Sequence, residues 1–195
     1  ADYFEDYNVV IGYNAGAAIN HANADDNVLV GYNAGYGGAN ALRQCVAIGS
    51  NALDATGGNA LTGAVAIGYN ALTALTSGGG NVAIGYENSL ALTTGTENTS
   101  VGNSANYNST GNYNTTLGYQ SNYYNVTGNN NTAIGRQALF GASGQSNSNN
   151  TAVGYNALLA VTDGGSNTAV GMQAGNNLKT GDQNVFVGTN AGYNA

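Results

Sequence analysis

One five-residue pattern recurs along the whole chain: a first residue that is Asn in nine of eleven copies (Cys45 and Ala64 are the exceptions), a β-branched residue, a variable residue, a branched aliphatic residue and a glycine. It reads Asn8-Val9-Val10-Ile11-Gly12 in its first copy, Asn81-Val82-Ala83-Ile84-Gly85 mid-chain and Asn184-Val185-Phe186-Val187-Gly188 in its last. Its glycines are Gly12, Gly31, Gly49, Gly68, Gly85, Gly102, Gly118, Gly135, Gly154, Gly171 and Gly188, eleven copies at intervals of 16 to 19 residues. Strict alternation over three residues before a glycine predicts a short strand and a corner, because neighbouring side chains on a strand point to opposite faces. No 3.6-residue spacing lasts long enough between glycines to predict a helix.

A unit this short cannot bury its own apolar face. Copies stacked one above another can, which is the principle of a solenoid. The expected fold is therefore all-β, a single parallel β-solenoid (β-roll or β-helix) over residues 1–195 with about eleven coils of 16–19 residues. The position before each glycine is always aliphatic: Ile11, Val30, Ile48, Ile67, Ile84, Val101, Leu117, Ile134, Val153, Val170 and Val187. These eleven are the expected core column, joined by the small residues of the preceding column on the opposite face. Variable Gly-, Ser-, Thr- and Asn-rich segments between copies read as loops.

Composition narrows the function. Only three residues are Lys or Arg against ten Asp or Glu, a net charge of −7, so the chain lacks the cations that neutralise phosphates and nucleic acid is not an expected partner. No apolar run approaches the ~18 residues of a membrane span. Cys45 is the one cysteine, which rules out an internal disulfide framework; it stands in the Asn column and reads as a small substitute inside the stack. The 33 Asn make the six Asn-x-Ser/Thr sequons about as frequent as chance would.

The acidic residues are scattered over separate coils, apart from an N-terminal group (Asp2, Glu5, Asp6) and the Asp25–Asp26 doublet. Glycan-cleaving chemistry needs clustered carboxylates, so no catalytic residue is assigned and the chain is not read as an enzyme. The doublet reads as surface acids, with a calcium site as the lesser alternative; no cofactor or metal ligand is assigned, and His21 stands without visible partners. Asp25 with Arg43, and Asp163 with Lys179, lie about one period apart and are expected to be exposed neighbours. Thr fills the second column from Thr99 to Thr168, which invites an ice-binding reading. Because that column shares a face with the expected core, partial burial is favoured. The Tyr column after the glycine is expected to stack as a surface ladder, for packing between rods or for sugar contact.

Val46-Ala47-Ile48-Gly49, Val65-Ala66-Ile67-Gly68 and Val82-Ala83-Ile84-Gly85 resemble the head repeats of YadA-like trimeric autotransporter adhesins. Asn131 to Gly135 is similar to repeats of phage-like and bacterial fibre proteins. The resemblance implies a parallel β-roll, a surface location and adhesive or structural work.

The expected function is a non-enzymatic structural subunit of an extracellular or cell-surface fibre, with other copies of itself as partners. The incomplete first and last coils together make one coil of normal length. Head-to-tail stacking is therefore expected, with Phe4, Tyr7, Phe186 and Val187 at the contact. The alternative is an adhesin or tail-fibre module, a trimeric β-roll that binds surface glycans or a host surface. Ice binding and a carbohydrate-active enzyme are weaker alternatives.

Overall fold

A computed structural model describes residues 7–17, 19, 24–37, 42–55 and 60–195. Thirteen short strands occur among them: β1 (Val9–Ile11), β2 (Val28–Val30), β3 (Leu42–Arg43), β4 (Val46–Ile48), β5 (Leu61–Thr62), β6 (Val65–Ile67), β7 (Val82–Ile84), β8 (Thr99–Val101), β9 (Thr115–Leu117), β10 (Thr132–Ile134), β11 (Thr151–Val153), β12 (Thr168–Val170) and β13 (Val185–Val187). Eleven of them form one parallel sheet in chain order, with β3 and β5 paired separately. Register is held copy on copy: Val65 pairs with Val82, Ala66 with Ala83 and Ile67 with Ile84. The chain is thus a β-solenoid of about ten turns with a period near 17 residues, as the repeat predicts. Ten steps of ~4.8 Å make the sheet about 50 Å long.

Local sequence explains each coil. The repeat glycine has φ between 123° and 143°, and a Cβ on Gly49 would lie 2.5 Å from the carbonyl oxygen of Gly68 one coil on. Any side chain there would force the coils apart. Three further positions per coil turn through the left-handed region, as at Glu97, Gln120 and Asn122. Asn, Gly and other polar residues fill most of them, which suits short polar side chains that tolerate this conformation. Leu53, Leu72, Leu139 and Leu158 also adopt it, with φ of 49° to 54°, although it costs an ordinary residue ~1 kcal/mol or more. All four are fully buried, and burial of a leucine offsets that cost.

The expected core column is corrected by the structure. Alternation along each strand is obeyed, but the small residue points inward. Leu29, Ala47, Ala66, Ala83, Ser100, Thr116, Ala133, Ala152 and Ala169 are buried, with relative exposures of 0–1 %. The aliphatic column faces out: Ile11, Ile48, Leu117, Val170 and Val187 are exposed, and Val30, Ile67, Ile84, Val101, Ile134 and Val153 are half-buried. The cause is interior width. Leucines from the far wall, such as Leu72, Leu75, Leu139 and Leu158, already fill the coil, so only a small residue fits opposite them.

Side-chain volume is traded between the two walls in several coils. Ala47 and Ala66 face inward in coils whose far wall carries Leu53 and Leu72. Where the inward residue is large, as at Leu29 and Phe186, the corresponding far-wall position is Gly35 and Gly192. A Cβ on Gly35 would lie 2.8 Å from the Leu29 side chain. Close-packed interiors require this kind of compensation.

The Asn column is also interior. Asn81 Oδ1 accepts hydrogen bonds from the backbone N–H and Nδ2 of Asn98, each 3.0 Å, while Asn98 Nδ2 also donates to Gly111 O at 2.9 Å. The same bridging joins Asn114 to Asn131 and Asn150 to Asn167. These amides satisfy backbone groups that the coil's turns leave unpaired inside, where an unmade bond is costly. Cys45 takes the Asn place in its coil: its N–H donates to Asn27 Oδ1 at 3.0 Å and its thiol to Arg43 O at 3.2 Å. It is buried, and burial pushes its thiol pKa up. This matches its reading as a small substitute in the stack.

Candidate functional site

Two surfaces of the rod carry repeated exposed side chains. The first is the outward face of the eleven-stranded sheet. One column runs Val9, Val28, Val46, Val65, Val82, Thr99, Thr115, Thr132, Thr151, Thr168 and Val185; the aliphatic column described above runs beside it. The two columns are two residues apart, about 6.7 Å, and each repeats at the ~4.8 Å strand spacing. No position in either is charged. On strands with a neighbour on both sides, Leu117 (49 % exposed), Val170 (39 %) and Ile48 (37 %) mark how openly this apolar strip meets solvent. The Thr column is therefore an outer column: the expected contact with a core is corrected, while the expected partial burial holds for three of its five threonines. Thr99 and Thr115 are exposed; Thr132, Thr151 and Thr168 are half-buried.

The second surface is aromatic. After the corner, Tyr13 stacks on Tyr32 and Tyr69 on Tyr86, with centroids 5.7 and 5.4 Å apart, so the expected Tyr ladder forms in pieces. The guanidinium of Arg136 continues it, sitting 5.8 Å from the Tyr119 ring and 5.4 Å from the Tyr155 ring. A second column, five residues after the glycines, stacks Tyr107 on Tyr123 at 4.9 Å and Tyr123 on Phe140 at 5.4 Å. Tyr124 lies across this stack. Burial first, and the Glu87 charge as well, raise the pKa of Tyr107. Tyr123 is raised by burial first, then by neighbouring tyrosines and Glu87. For exposed Tyr86 the first cause is its hydrogen bond with Glu87. Glu87 thus stands near both aromatic columns.

The remaining expectations fall as follows. Phe186 turns inward against the Gly175 and Gly192 backbone, Val187 turns outward at 69 % exposure, and Tyr7 is 84 % exposed. Phe4, His21 and the acids Asp2, Glu5 and Asp6 lie outside the described residues. Asp163 N donates to Lys179 O, so that predicted pair are neighbours across coils through their backbones, whereas Asp25 O accepts from Gln44 N, the residue after Arg43. Among the described residues no group of three His, Cys, Asp or Glu is placed to hold a metal ion, and no helix is long and apolar enough to cross a membrane. Sequence reasoning missed the second aromatic column, whose signal is the shared offset of Tyr107, Tyr123 and Phe140 from Gly102, Gly118 and Gly135. It also missed that the Asn column is an interior hydrogen-bond ladder.

The fold and its repeat define the class: this is a β-solenoid repeat protein. No protein-family model, curated protein or solved structure matches the chain.

Proposed function

We propose that the chain is a non-enzymatic structural segment of an extracellular fibre, and that copies associate through the outward face of the long sheet. The observation that carries this reading is the uncharged double column of Val, Thr, Ile and Leu running the length of eleven strands. Monomeric proteins rarely expose contiguous apolar patches beyond a few hundred Å². A second copy is the natural cover, because its ridges repeat at the same ~4.8 Å and interdigitate in register along the whole rod. Such rods would associate side by side, with their axes aligned. Lengthwise, the coil-on-coil ladder that joins β1 to β13 is also the means by which one rod would continue into another. The resemblance to surface-fibre repeats supports the extracellular placement.

Sedimentation velocity tests the reading. The parent chain is expected to form dimers, trimers or larger bundles. Ile67→Lys with Ile84→Lys, both outward, should give monomers with an unchanged β-type circular dichroism spectrum. Ala66→Lys, inward, should instead destroy that spectrum. A parent chain that stays monomeric at high concentration would sink the proposal.

A further inference from the structure

We propose, resting on the self-association reading above, that two copies of the chain pack sheet to sheet in opposite directions, with β7 of each rod opposite β10 of the other. Two facing rods related by a dyad have two arrangements open to them. With the dyad along the rod axis they run the same way. Each strand then faces its own counterpart, and the corner after a strand lies against the segment before it. With the dyad along the strands the rods run oppositely, like edges face each other, and the position of the dyad sets the register.

The cations distinguish these arrangements. Arg43, Arg136 and Lys179 are the three Lys or Arg of the sequence, and all are exposed. In same-direction pairing Arg136, just after β10, meets Asn129 and Asn130. Arg43, before β4, meets Ser50 and Asn51, and Lys179, before β13, meets Thr189 and Asn190. No cation gains an acid. Opposite direction with β7 on β10 also sets β4 on β12 and β2 on β13. Arg136 then faces Glu87, both on the corner after the repeat glycine. Arg43 faces the edge that carries Asp163, and Lys179 the edge of Asp25 and Asp26. Asp182 shares the Lys179 edge, but its Oδ1 already accepts the Gly165 N–H at 2.7 Å. All three cations are matched. A slip of one strand in either direction leaves Arg136 opposite Asn70 or Ser104.

The faces fit in the same register. Val46, Val65 and Val82 lie opposite Thr168, Thr151 and Thr132, side chains of one shape. Thr99 and Thr115, the two exposed threonines of their column, meet at the dyad, where hydroxyl can bond to hydroxyl. Facing sheets pack ~10 Å apart, a gap that an arginine and a glutamate side chain span together from the corner. The other two cations stand farther back and act through water, most strongly at low salt. Rim charges of this kind fix orientation and register more than affinity.

Pulsed electron double resonance tests the arrangement. In a Cys45→Ala background, which copies Ala64 of the next coil, a nitroxide is attached through Thr189→Cys or through Asn103→Cys, both exposed positions. Opposed rods in this register put the two Thr189 labels nine strand steps apart, about 43 Å along the axis, and the two Asn103 labels one step apart. Same-direction rods give short distances at both sites. Arg136→Glu should weaken association by about tenfold at low salt, because the dyad changes two contacts at once. Adding Glu87→Arg should restore it. Short distances at both sites, trimers in sedimentation, or a charge swap that fails to restore association would overturn the proposal while leaving self-association standing. A parent chain that stays monomeric would remove both.

Discussion

The coils built on β4–β7 and on β10–β12 hold apolar interiors, whereas those on β8 and β9 hold a polar one. The first flank packs Leu53, Leu61, Leu72, Leu75 and Leu92 against a column of alanines, and the second packs Leu139, Leu158, Val161 and Leu178. Between Leu92 and Ala133 the one buried apolar side chain among the described residues is Ala105. Its neighbours are Ser100, Ser104, Asn106, Ser109, Thr116, Ser121, Asn122 and Asn125, all buried. They bond to one another instead. Thr116 Oγ1 donates to Ser100 Oγ at 2.8 Å, Asn122 Nδ2 to Asn106 Oδ1 at 2.8 Å, and Asn125 Nδ2 to Asn122 Oδ1 at 3.0 Å. The network is incomplete, since Asn106 Nδ2 is buried without a partner; outside this waist the same holds for Asn156 Oδ1.

Register and corner geometry run through both kinds of coil unchanged. The coil's shape is therefore set by glycines, left-handed turns and the Asn ladder, and the interior decides mainly how firmly one coil holds the next. In an array whose stability is a sum of repeat and neighbour terms, the polar waist is the weakest link. Hydrogen bonds there contribute ~1 kcal/mol net each, while a buried donor left unpaired costs ~1–3 kcal/mol.

The comparison is broken most strongly from the apolar side. Leu72→Ala should destabilise the rod by about 2–5 kcal/mol, because the alanine opposite cannot fill the cavity. Chemical denaturation reads this, and a loss below ~1 kcal/mol would mean that the flank is not packed as described.

A smaller effect of opposite sign is expected in the waist. Asn106→Leu with Asn122→Leu should stabilise by about 1–3 kcal/mol, since it removes the unpaired amide and extends the leucine column. The backbone at both positions, with φ of 54° and 53°, matches that of Leu53 and Leu72. Hydrogen exchange of residues 99–126 should slow towards that of the flanks. Faster exchange or a lower melting temperature would show that the polar network outweighs its defect.

The smallest effect is on pH. Folded Tyr107 and Tyr123, raised above the ordinary phenol value, hold their protons more tightly than the unfolded chain does. Their contribution is full below ~10 and is lost as pH rises through the raised folded values. Melting should therefore fall in alkali, and fall less in a Tyr107→Phe, Tyr123→Phe variant. Equal slopes for the two proteins would remove these phenols from the account.

Much of the fold was legible because repetition makes local signals redundant. Eleven copies of a three-residue strand and a glycine specify parallel stacking, and the period of 16–19 residues marks one coil each time. The surface aromatic column after the glycine was legible too, from Tyr13, Tyr32, Tyr69 and Tyr86 at one offset. The Tyr107, Tyr123 and Phe140 column, by contrast, occupies only three coils and blends into the variable segments.

The sequence by itself determined the alternation, the coil length and the corners, because backbone sterics at each repeat glycine and the two-residue period of a strand are local properties. Which side of the strand faces in was decided only by tertiary structure. Ile67 is more apolar than Ala66, and hydrophobicity alone favours Ile67 as core. The opposing wall settles the matter: Leu72, reached by two left-handed turns, leaves room for a methyl group and no more. Burial is a property of the space between two walls, and one strand's pattern describes only one of them.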